Sequence, residues 1–584
     1  FVHKLPSLLL LERLHSLAWQ QDIGLLLNRC NRFGTKSEPL NLPLVNTPSV
    51  RSTSGSDVFR QLTRTMNRSA NLQTLDQTSQ WDVLIIGGGA TGLGIAVDAA
   101  TRGYKTLLIE KVDFAKGTSS RSTKLVHGGV RYLQNGDVSL VIEALKERGI
   151  MRNNAPHLVR DLSFIIPSYD WWSSPFYGIG LKIYDMMAGK LGLGPSTLLN
   201  REETLEAIPN VKQEGLMGGV IYHDGQFDDA RMAVSLAMTA EDHGATLLNY
   251  MSFEQFHKQG DLITGIQAKD QLSGELHDIS SKVVVNATGV FSDEVMQADQ
   301  PDLPASIRPS QGVHIVLEAD FLQKDHAIMV PHTTDGRVLF AVPWNGYVVV
   351  GTTDSPMDEA LEEPVAMEEE VDFILANAGM YMTRKPTRED IRSIFVGLRP
   401  LAASSGDSEK QSTKEVSRHH KVLVSPSGLV SILGGKWTTY RKMAEDVVNT
   451  AATVGTLDET DCTTATTRIH GFDEESDWTD PLHVYGSDAN AIRGIDPQGN
   501  QSLSDKYMIS PNQVRWSVRH EMAITLEDML ARRSRALFLD AQEALSIAPK
   551  VAQIMAEESG HDEAWVASQI AAFNRVAASY VPKR

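Results

Sequence analysis

Cysteine is almost absent: the 584-residue chain has only Cys30 and Cys462. Two thiols build neither a disulfide framework nor a cysteine zinc cluster, so thiol chemistry and a resident metal are not expected. Long apolar runs are missing too. No stretch reaches the roughly 18 consecutive apolar residues of a membrane-spanning helix, and the best N-terminal candidate, Leu8 to Leu11, is broken by Glu12 and Arg13. Any membrane contact is therefore expected at the surface. Positive charge is scarce, with 55 Lys and Arg against 73 Asp and Glu and a net charge of −18. Such a balance repels phosphate backbones, so no nucleic-acid partner is expected, and an anionic ligand needs a local basic pocket. Internal repeats and long low-complexity tracts are also lacking.

What is present is an ordinary globular mixture, 42% hydrophobic and 22% charged, at 64.2 kDa. That mass exceeds what one core usually covers and predicts two or three packed domains. The first 65 residues differ from the rest, carrying eight Lys and Arg against four acids. They read as a targeting-like segment or as extraneous sequence upstream of a start at Met66, disordered in either case, and are set aside from the fold argument.

Trp81-Asp82-Val83-Leu84-Ile85-Ile86 has the apolar run of a buried parallel strand, and Gly87-Gly88-Gly89-Ala90-Thr91-Gly92 follows at once. This is G-x-G-x-x-G in its required context. Gly87 suits the tight turn, Gly89 lets backbone approach a pyrophosphate, and Gly92 lets the next helix pack on the strand. That helix ends near Gly103, and a second strand, Lys105 to Ile109, ends in Glu110, placed to accept ribose hydroxyls. A dinucleotide is expected here. A second strand-like run reaches Ala287-Thr288-Gly289, and a third reaches Gly434-Gly435-Lys436 before a helix from about Thr438 to Val448. Small residues there admit backbone N–H groups close to an isoalloxazine, and a helix N-terminus beside it favours the negative charge of reduced flavin. Three strand-to-glycine turns spread over the chain imply a discontinuous FAD domain with a substrate domain inserted.

The segment Gly117-Thr118-Ser119-Ser120-Arg121-Ser122-Thr123-Lys124-Leu125-Val126-His127-Gly128-Gly129-Val130-Arg131-Tyr132-Leu133 closely resembles the FAD-dependent glycerol-3-phosphate dehydrogenases. Further stretches agree in order: Phe227 to Met232, Gly312 to Val316, Gly351 to Asp354, Gly397 to Leu401 and Gly434 to Arg441. The tail, notably Met529 to Arg535, resembles the family's helical C-terminal domain. The resemblance implies oxidation of sn-glycerol 3-phosphate to dihydroxyacetone phosphate, with electrons passing from FAD to membrane quinone. It also implies flavin contacts from Thr118, Ser119, Ser122, Lys124, His127, Gly128 and Gly129. A phosphate dianion needs concentrated positive donors, and Arg131, Arg399, Arg418 and Lys436 fall in matched or adjacent segments, with Tyr132 beside the first. Oxidising a secondary alcohol needs a base near neutral pH, for which imidazole is well matched. His314, where family members place their proposed base, is the choice, with Arg131, Arg399 and Lys436 completing the catalytic set.

The fold class expected is α/β: a glutathione-reductase-like, Rossmann-like FAD domain with an inserted antiparallel-sheet domain and a helical C-terminal domain. The FAD domain is placed at 66–150, 215–300 and 421–455, the substrate domain at 151–214 and 301–420, and the helical domain at 456–584. Within the last, Pro549 to Glu558 and Ala564 to Ala578 are the clearest helices, with Pro549 suited to a first turn. Trp171 to Met187 is rich in aromatic and apolar residues, with Lys182 and Lys190 beside them, and reads either as a core helix or as an interfacial one. On the second reading the protein is peripheral to a membrane, the cytoplasmic face of a bacterial inner membrane or else the mitochondrial inner membrane. A homodimer is left open. The rival readings are an oxidase of the same family that makes hydrogen peroxide, and an FAD-holding interaction or RNA-modifying protein without such turnover.

Overall fold

A computed structural model describes residues 66–129, 137–170, 173–402 and 420–583. The readings of 1–65 as targeting-like or extraneous lie outside the described residues. After helix α1 (Arg68–Gln77) come β1 (Trp81–Ile86), α2 (Ala90–Thr101), β2 (Thr106–Ile109), β3 (Leu125–Val126), α3 (Val138–Asn154), β4 (Val159–Ser168) and α4 (Ser173–Ala188). Next are β5 (Thr197–Leu199), β6 (Gly218–Phe227), α5 (Asp229–Asp242), β7 (Thr246–Leu248), β8 (Met251–Gln259), β9 (Leu262–Asp270) and β10 (Leu276–Asn286). The chain then forms β11 (Ile307–Glu318), β12 (Ala327–Val330), β13 (Leu339–Trp344), β14 (Tyr347–Gly351), β15 (Ser355–Pro356), β16 (Ser393–Ala402), β17 (Lys421–Val424), β18 (Val430–Leu433) and α6 (Tyr440–Val454). It ends with α7 (Pro511–His520), a π-helical turn at Asp528–Arg533, α8 (Ala541–Ser559) and α9 (Glu563–Ala577).

One sheet has a parallel centre in the order β18-β10-β1-β2-β7. Alternate residues of β1 serve its two faces: Val83 and Ile85 pack against α2, α5 and α6, while Leu84 and Ile86 join Leu107, Ile109 and Val284 on the other. Because both faces are covered, these strands read as continuous apolar runs. Helix α5 starts at Asp228, whose side chain accepts from the Arg231 N–H, and is buried along nearly its whole length. Asp228 as cap and Gly244 as stop predict a helix from Ala230 to His243 in the sequence, and α5 keeps to those bounds within one residue.

The second sheet is mainly antiparallel, in the order β15-β11-β14-β13-β12-β4-β6-β3, with β16 also paired to β11. Its membership corrects the sequence-based division. Strands β3 and β6, grouped with the FAD domain by position, pair here. Their partners are remote in the chain, and no local pattern reveals such pairings. A second correction concerns Pro549, which lies inside α8 rather than at its start. The start is set by Asp540, whose side chain accepts from the Glu543 N–H, and Pro549 forgoes the hydrogen bond its own N–H would make one turn back. Helix α6 runs longer than expected, and the C-terminal region is dominated by helix only from Pro511, residues 457–482 being irregular chain with scattered turns. A core of Leu526, Met529, Leu530, Phe538, Val551 and Met555 joins that region to β11 and β16 through Val316 and Phe395.

Candidate active site

The turn after β1 is shaped by close approach. Gly87 has φ +109°, and a Cβ there would stand 2.7 Å from the Ala287 carbonyl oxygen; a Cβ on Gly92 would strike the Gly87 carbonyl. Gly89 is different. Within 4 Å its added Cβ would meet only Ser119 Oγ, at 3.1 Å, so Gly89 borders open space at the N-terminus of α2. Ser119 Oγ accepts from the Ala90 N–H at 2.9 Å, and this hydroxyl stands where an anion would take the same donor. At the end of β2, Glu110 accepts from the N–H groups of Gly88 at 2.6 Å and Val112 at 3.0 Å. Burial pushes its carboxyl above the usual range despite those donors and the nearby Arg532. Gly87 to Gly89, Ala287-Thr288-Gly289 and Gly434-Gly435 all follow the C-terminal ends of the adjacent parallel strands β1, β10 and β18, where an open α/β sheet forms its ligand crevice. Ser119 is further tied to the third turn, since Trp437 Nε1 donates to its carbonyl at 2.8 Å. The His127 N–H donates to Thr438 Oγ1 at 3.3 Å. Glycine cradle, acidic strand end and helix N-terminus together fit FAD.

Gly89→Val should therefore fold, because its surroundings in the protein leave room, yet purify without FAD, because the added side chain fills the pyrophosphate's approach. Flavin absorbance against protein absorbance checks this, and full occupancy would remove the turn from the cofactor site.

His314 lies on β11 opposite the flavin loop, paired with Gly351 of β14 and Phe395 of β16. The Phe395 ring stacks on its imidazole with centroids 4.7 Å apart and planes at 10°. A Cβ on Gly351 would collide with that imidazole, and one on Gly397 would stand 2.9 Å from the Arg121 carbonyl oxygen. Missing side chains thus let the sheet approach the loop, and Thr118 Oγ1 donates to the Leu398 carbonyl at 2.5 Å. Thr123 Oγ1 lies 2.9 Å from His314 Nε2. His314 Nδ1 is buried without a hydrogen-bond partner among the described residues. Burial first, then Lys124 and Arg399, hold the imidazole well below its ordinary pKa, so it is neutral at physiological pH.

Arg399 reaches the same face, two residues beyond Gly397. Its guanidinium donates to the carbonyl oxygens of Thr353 at 3.0 Å and Gln311 at 3.3 Å and lies 3.4 Å from Asp354 Oδ1. It lies flat over β11 because Gly312 has no Cβ: one there would be 2.8 Å from Nη1. Across Asp354, 3.8 Å from its Oδ2, is Arg337 Nη1. Lys436 precedes the short turn Trp437–Thr439 and is half-buried.

Placement of the expected residues is mixed. Gly87, Gly89, Gly92, Glu110, Ser119, His127, Ala287, Gly435 and Thr438 gather at the crevice, and His314 and Arg399 share one face of the second sheet. Gly128 donates its N–H to Tyr184 on α4, and Ser122 Oγ bonds Asp229. Lys124 does not face the crevice. It is 0% exposed, with Nζ 2.8 Å from both the Ser120 carbonyl and Asp229 Oδ2, so its expected flavin contact is corrected to a structural one. Arg131, Tyr132 and Arg418 fall outside the described residues, as do Trp171 and Trp172. On α4, Tyr177, Leu181 and Tyr184 are buried, but Met186 is 66% exposed and Ile183 is exposed beside it. Residues that the sequence reading left without a role are Thr123, Phe395, Arg337 and Asp354. For Thr123 and Asp354 the only signal was membership of the matched stretches, which gives position and not contact; Phe395 and Arg337 lie outside those stretches and had none.

Comparison with known proteins agrees with this geometry. The family described as FAD dependent oxidoreductase matches residues 82–441, and the C-terminal domain of alpha-glycerophosphate oxidase matches 429–566. The chain is 38% identical over 537 residues to the mitochondrial glycerol-3-phosphate dehydrogenase of Bos taurus, covering 85% of this chain and 73% of that one. It is 37% identical over 565 residues to the mitochondrial enzyme of that name from Schizosaccharomyces pombe, covering 85% and 87%. The crystal structure of the glycerol-3-phosphate dehydrogenase from Bacillus halodurans, complexed with FAD, superposes with a TM-score of 0.72 at 31% identity over 88% of this chain and 98% of that one.

Proposed function

The chain belongs to the FAD-dependent glycerol-3-phosphate dehydrogenase family, and on that premise we propose that it oxidises sn-glycerol 3-phosphate to dihydroxyacetone phosphate and delivers the electrons to membrane quinone. FAD is its cofactor. The observation that carries the reading is the face shared by His314 and Arg399: a neutral imidazole whose Nδ1 has no partner among the described residues and a guanidinium, each seated where a glycine, Gly351 or Gly312, carries no side chain. Held by the turns at Gly87 to Gly89, Ala287 to Gly289 and Gly434-Gly435, FAD would supply the acceptor for the hydride of the carbinol carbon. We assign the phosphate to Arg399, whose guanidinium would exchange its contacts with the Thr353 and Gln311 carbonyls for the dianion, and Lys436 adds a cation at the third glycine turn. We assign the proton of Nε2 to Thr123, as its acceptor, which leaves the Nδ1 lone pair to take the hydroxyl proton of the substrate. Packing of the sheet on the loop excludes water from that transfer.

For the acceptor, Ile183 and Met186 on α4, Leu198 on β5 and Ile142 on α3 are exposed apolar side chains, each suited to a membrane contact. No helix among the described residues is long and apolar enough to cross a membrane. Anaerobic glycerol 3-phosphate should bleach the flavin band, and glycerol should not. Arg399→Ala should raise KM for glycerol 3-phosphate strongly with FAD retained, and lysine in its place should restore little. Unchanged KM, or an equal effect with glycerol, would take Arg399 out of the site. Reduced quinone rather than hydrogen peroxide should accumulate; peroxide in stoichiometric amount would make the protein an oxidase.

A further inference from the structure

Two of the matched stretches, Phe227 to Met232 and Met529 to Arg535, take no part in the chemistry described so far. Both end at the flavin loop. The Asp229 carboxylate accepts from the Ser122 N–H at 2.9 Å, the Ser122 hydroxyl at 2.7 Å, Lys124 Nζ at 2.8 Å and Arg535 Nη2 at 3.0 Å. The Ser120 carbonyl accepts from the same two cations, Lys124 at 2.8 Å and Arg535 at 2.7 Å. All three side chains are buried. Around the lysine stand Trp344, Phe395 and Phe538, with Nζ 5.2, 4.9 and 5.3 Å from the ring centroids. Lys124 and Arg535 each have φ +65°, a conformation that non-glycine residues adopt only where their surroundings impose it.

The ring of Phe395 that carries Lys124 also stacks on His314, and the residue before Lys124 is Thr123, whose hydroxyl meets Nε2. We infer that Lys124, clamped by Asp229 and Arg535, is a positioning residue for His314, fixing both the Thr123 hydroxyl at Nε2 and the Phe395 ring against the imidazole. The C-terminal region thereby contributes to the site through Arg535. The clamp also acts through charge. The charged groups facing His314 are Lys124 from the loop and Arg399 from β16, and both disfavour its protonation. Facing Lys124 are Asp229 and Asp228 from α5 and Arg535 from the C-terminal region. Burial brings the Lys124 amine down to about 7, against the pull of Asp229 and with the push of Arg535. Below that pH the lysine is charged, so it opposes protonation of His314 in the range where protonation would stop the reaction.

The inference rests on His314 being the proton acceptor, and its test separates the two. Lys124→Met keeps the length of the side chain without its charge. Holoenzyme of this variant, reduced anaerobically in stopped flow across pH, should show flavin reduction slowed about 10- to 100-fold, the scale of a misplaced group. Its acid limb should move upward, because a cation that opposes protonation is gone. Binding of inorganic phosphate, followed as a perturbation of the flavin band, should be unchanged. Thr123→Val should share the slower rate without the shift of the limb, and Thr123→Ser, which keeps the hydroxyl, should restore the rate. A Lys124→Met enzyme with the wild-type rate and limb would overturn the inference, as would a slower rate without movement of the limb. If Lys124→Met does not accumulate as holoenzyme, the Thr123 pair decides: equal rates for valine and serine overturn it. Should His314→Ala reduce the flavin at the wild-type rate, the reading of the base fails instead.

Discussion

His314→Ala should lower the rate of flavin reduction by glycerol 3-phosphate by roughly 100- to 10,000-fold, the range for losing a positioned base. FAD should stay bound, because His314 sits on β11, away from the glycine turns that cradle the dinucleotide. The pH dependence is the sharper part. The base works only when neutral. An ordinary imidazole protonates near pH 6.5, but burial, and after it Lys124 and Arg399, keeps His314 neutral well below that. The wild-type rate should therefore persist as pH falls through the usual histidine range and decline only at lower pH. In His314→Ala that decline should vanish along with most of the rate, and His314→Gln, which fills the gap between Phe395 and Thr123, should do no better. Stopped-flow absorbance of the flavin from pH 4 to 9 measures all three. A His314→Ala enzyme that keeps both rate and limb would assign the proton to another group.

How much of this was legible in the sequence depends on the range of the interaction involved. The β1 turn was, because the positive φ at Gly87 and the Gly87 carbonyl beside Gly92 are needs of the turn itself, and Glu110 follows at the end of the next strand. Helix α5 was legible from Asp228 as cap and Gly244 as stop. The place of β6 in the second sheet was not, since its partner β4 is reached only through long-range pairing. Lys124 shows the limit within the site itself. A lysine in a flavin loop suggests a ligand contact, and only the fold reveals that Asp229 and Arg535, distant in sequence, turn it inward. His314 was chosen by resemblance, and its environment supplies a physical reason. The glycines opposite it and the ring of Phe395 have no local signature, because each matters only through its neighbour on another strand.

The second large effect should be on stability, at the junction of the cofactor turn and the C-terminal region. Asp113 follows Glu110 by three residues and is fully buried. Arg532 Nε donates to its Oδ2 at 2.5 Å, Arg533 Nη1 to the same oxygen at 2.8 Å, and Arg533 Nη2 to Oδ1 at 2.9 Å. Burial alone would raise this carboxyl, but Arg533 and Arg532 outweigh it and hold it below the usual carboxylate range. Asp113→Ala leaves two buried guanidinium groups short of a partner, and breaking a buried pair in this way costs about 3–5 kcal/mol. Thermal unfolding followed by calorimetry should show a midpoint several degrees lower, with FAD lost in the same transition, since the loop bearing Asp113 also positions Glu110. Acid should act on the same junction. Glu527 is half-buried; burial would raise its carboxyl, yet Arg532 and Lys116 bring it down to about 2. Its folded pKa is thus depressed from about 4.3 in the unfolded chain, so its contribution is complete above about pH 4.3 and is lost as pH falls towards 2. Asp113 loses its contribution in the same direction, below its ordinary range. Wild-type stability should therefore fall steeply between about pH 4 and 2, and Asp113→Ala, having lost one of the two carboxylates, should fall less steeply there. Equal midpoints for the two proteins at pH 7 would show that the arginines find other partners and that the C-terminal region is held on by its apolar core alone.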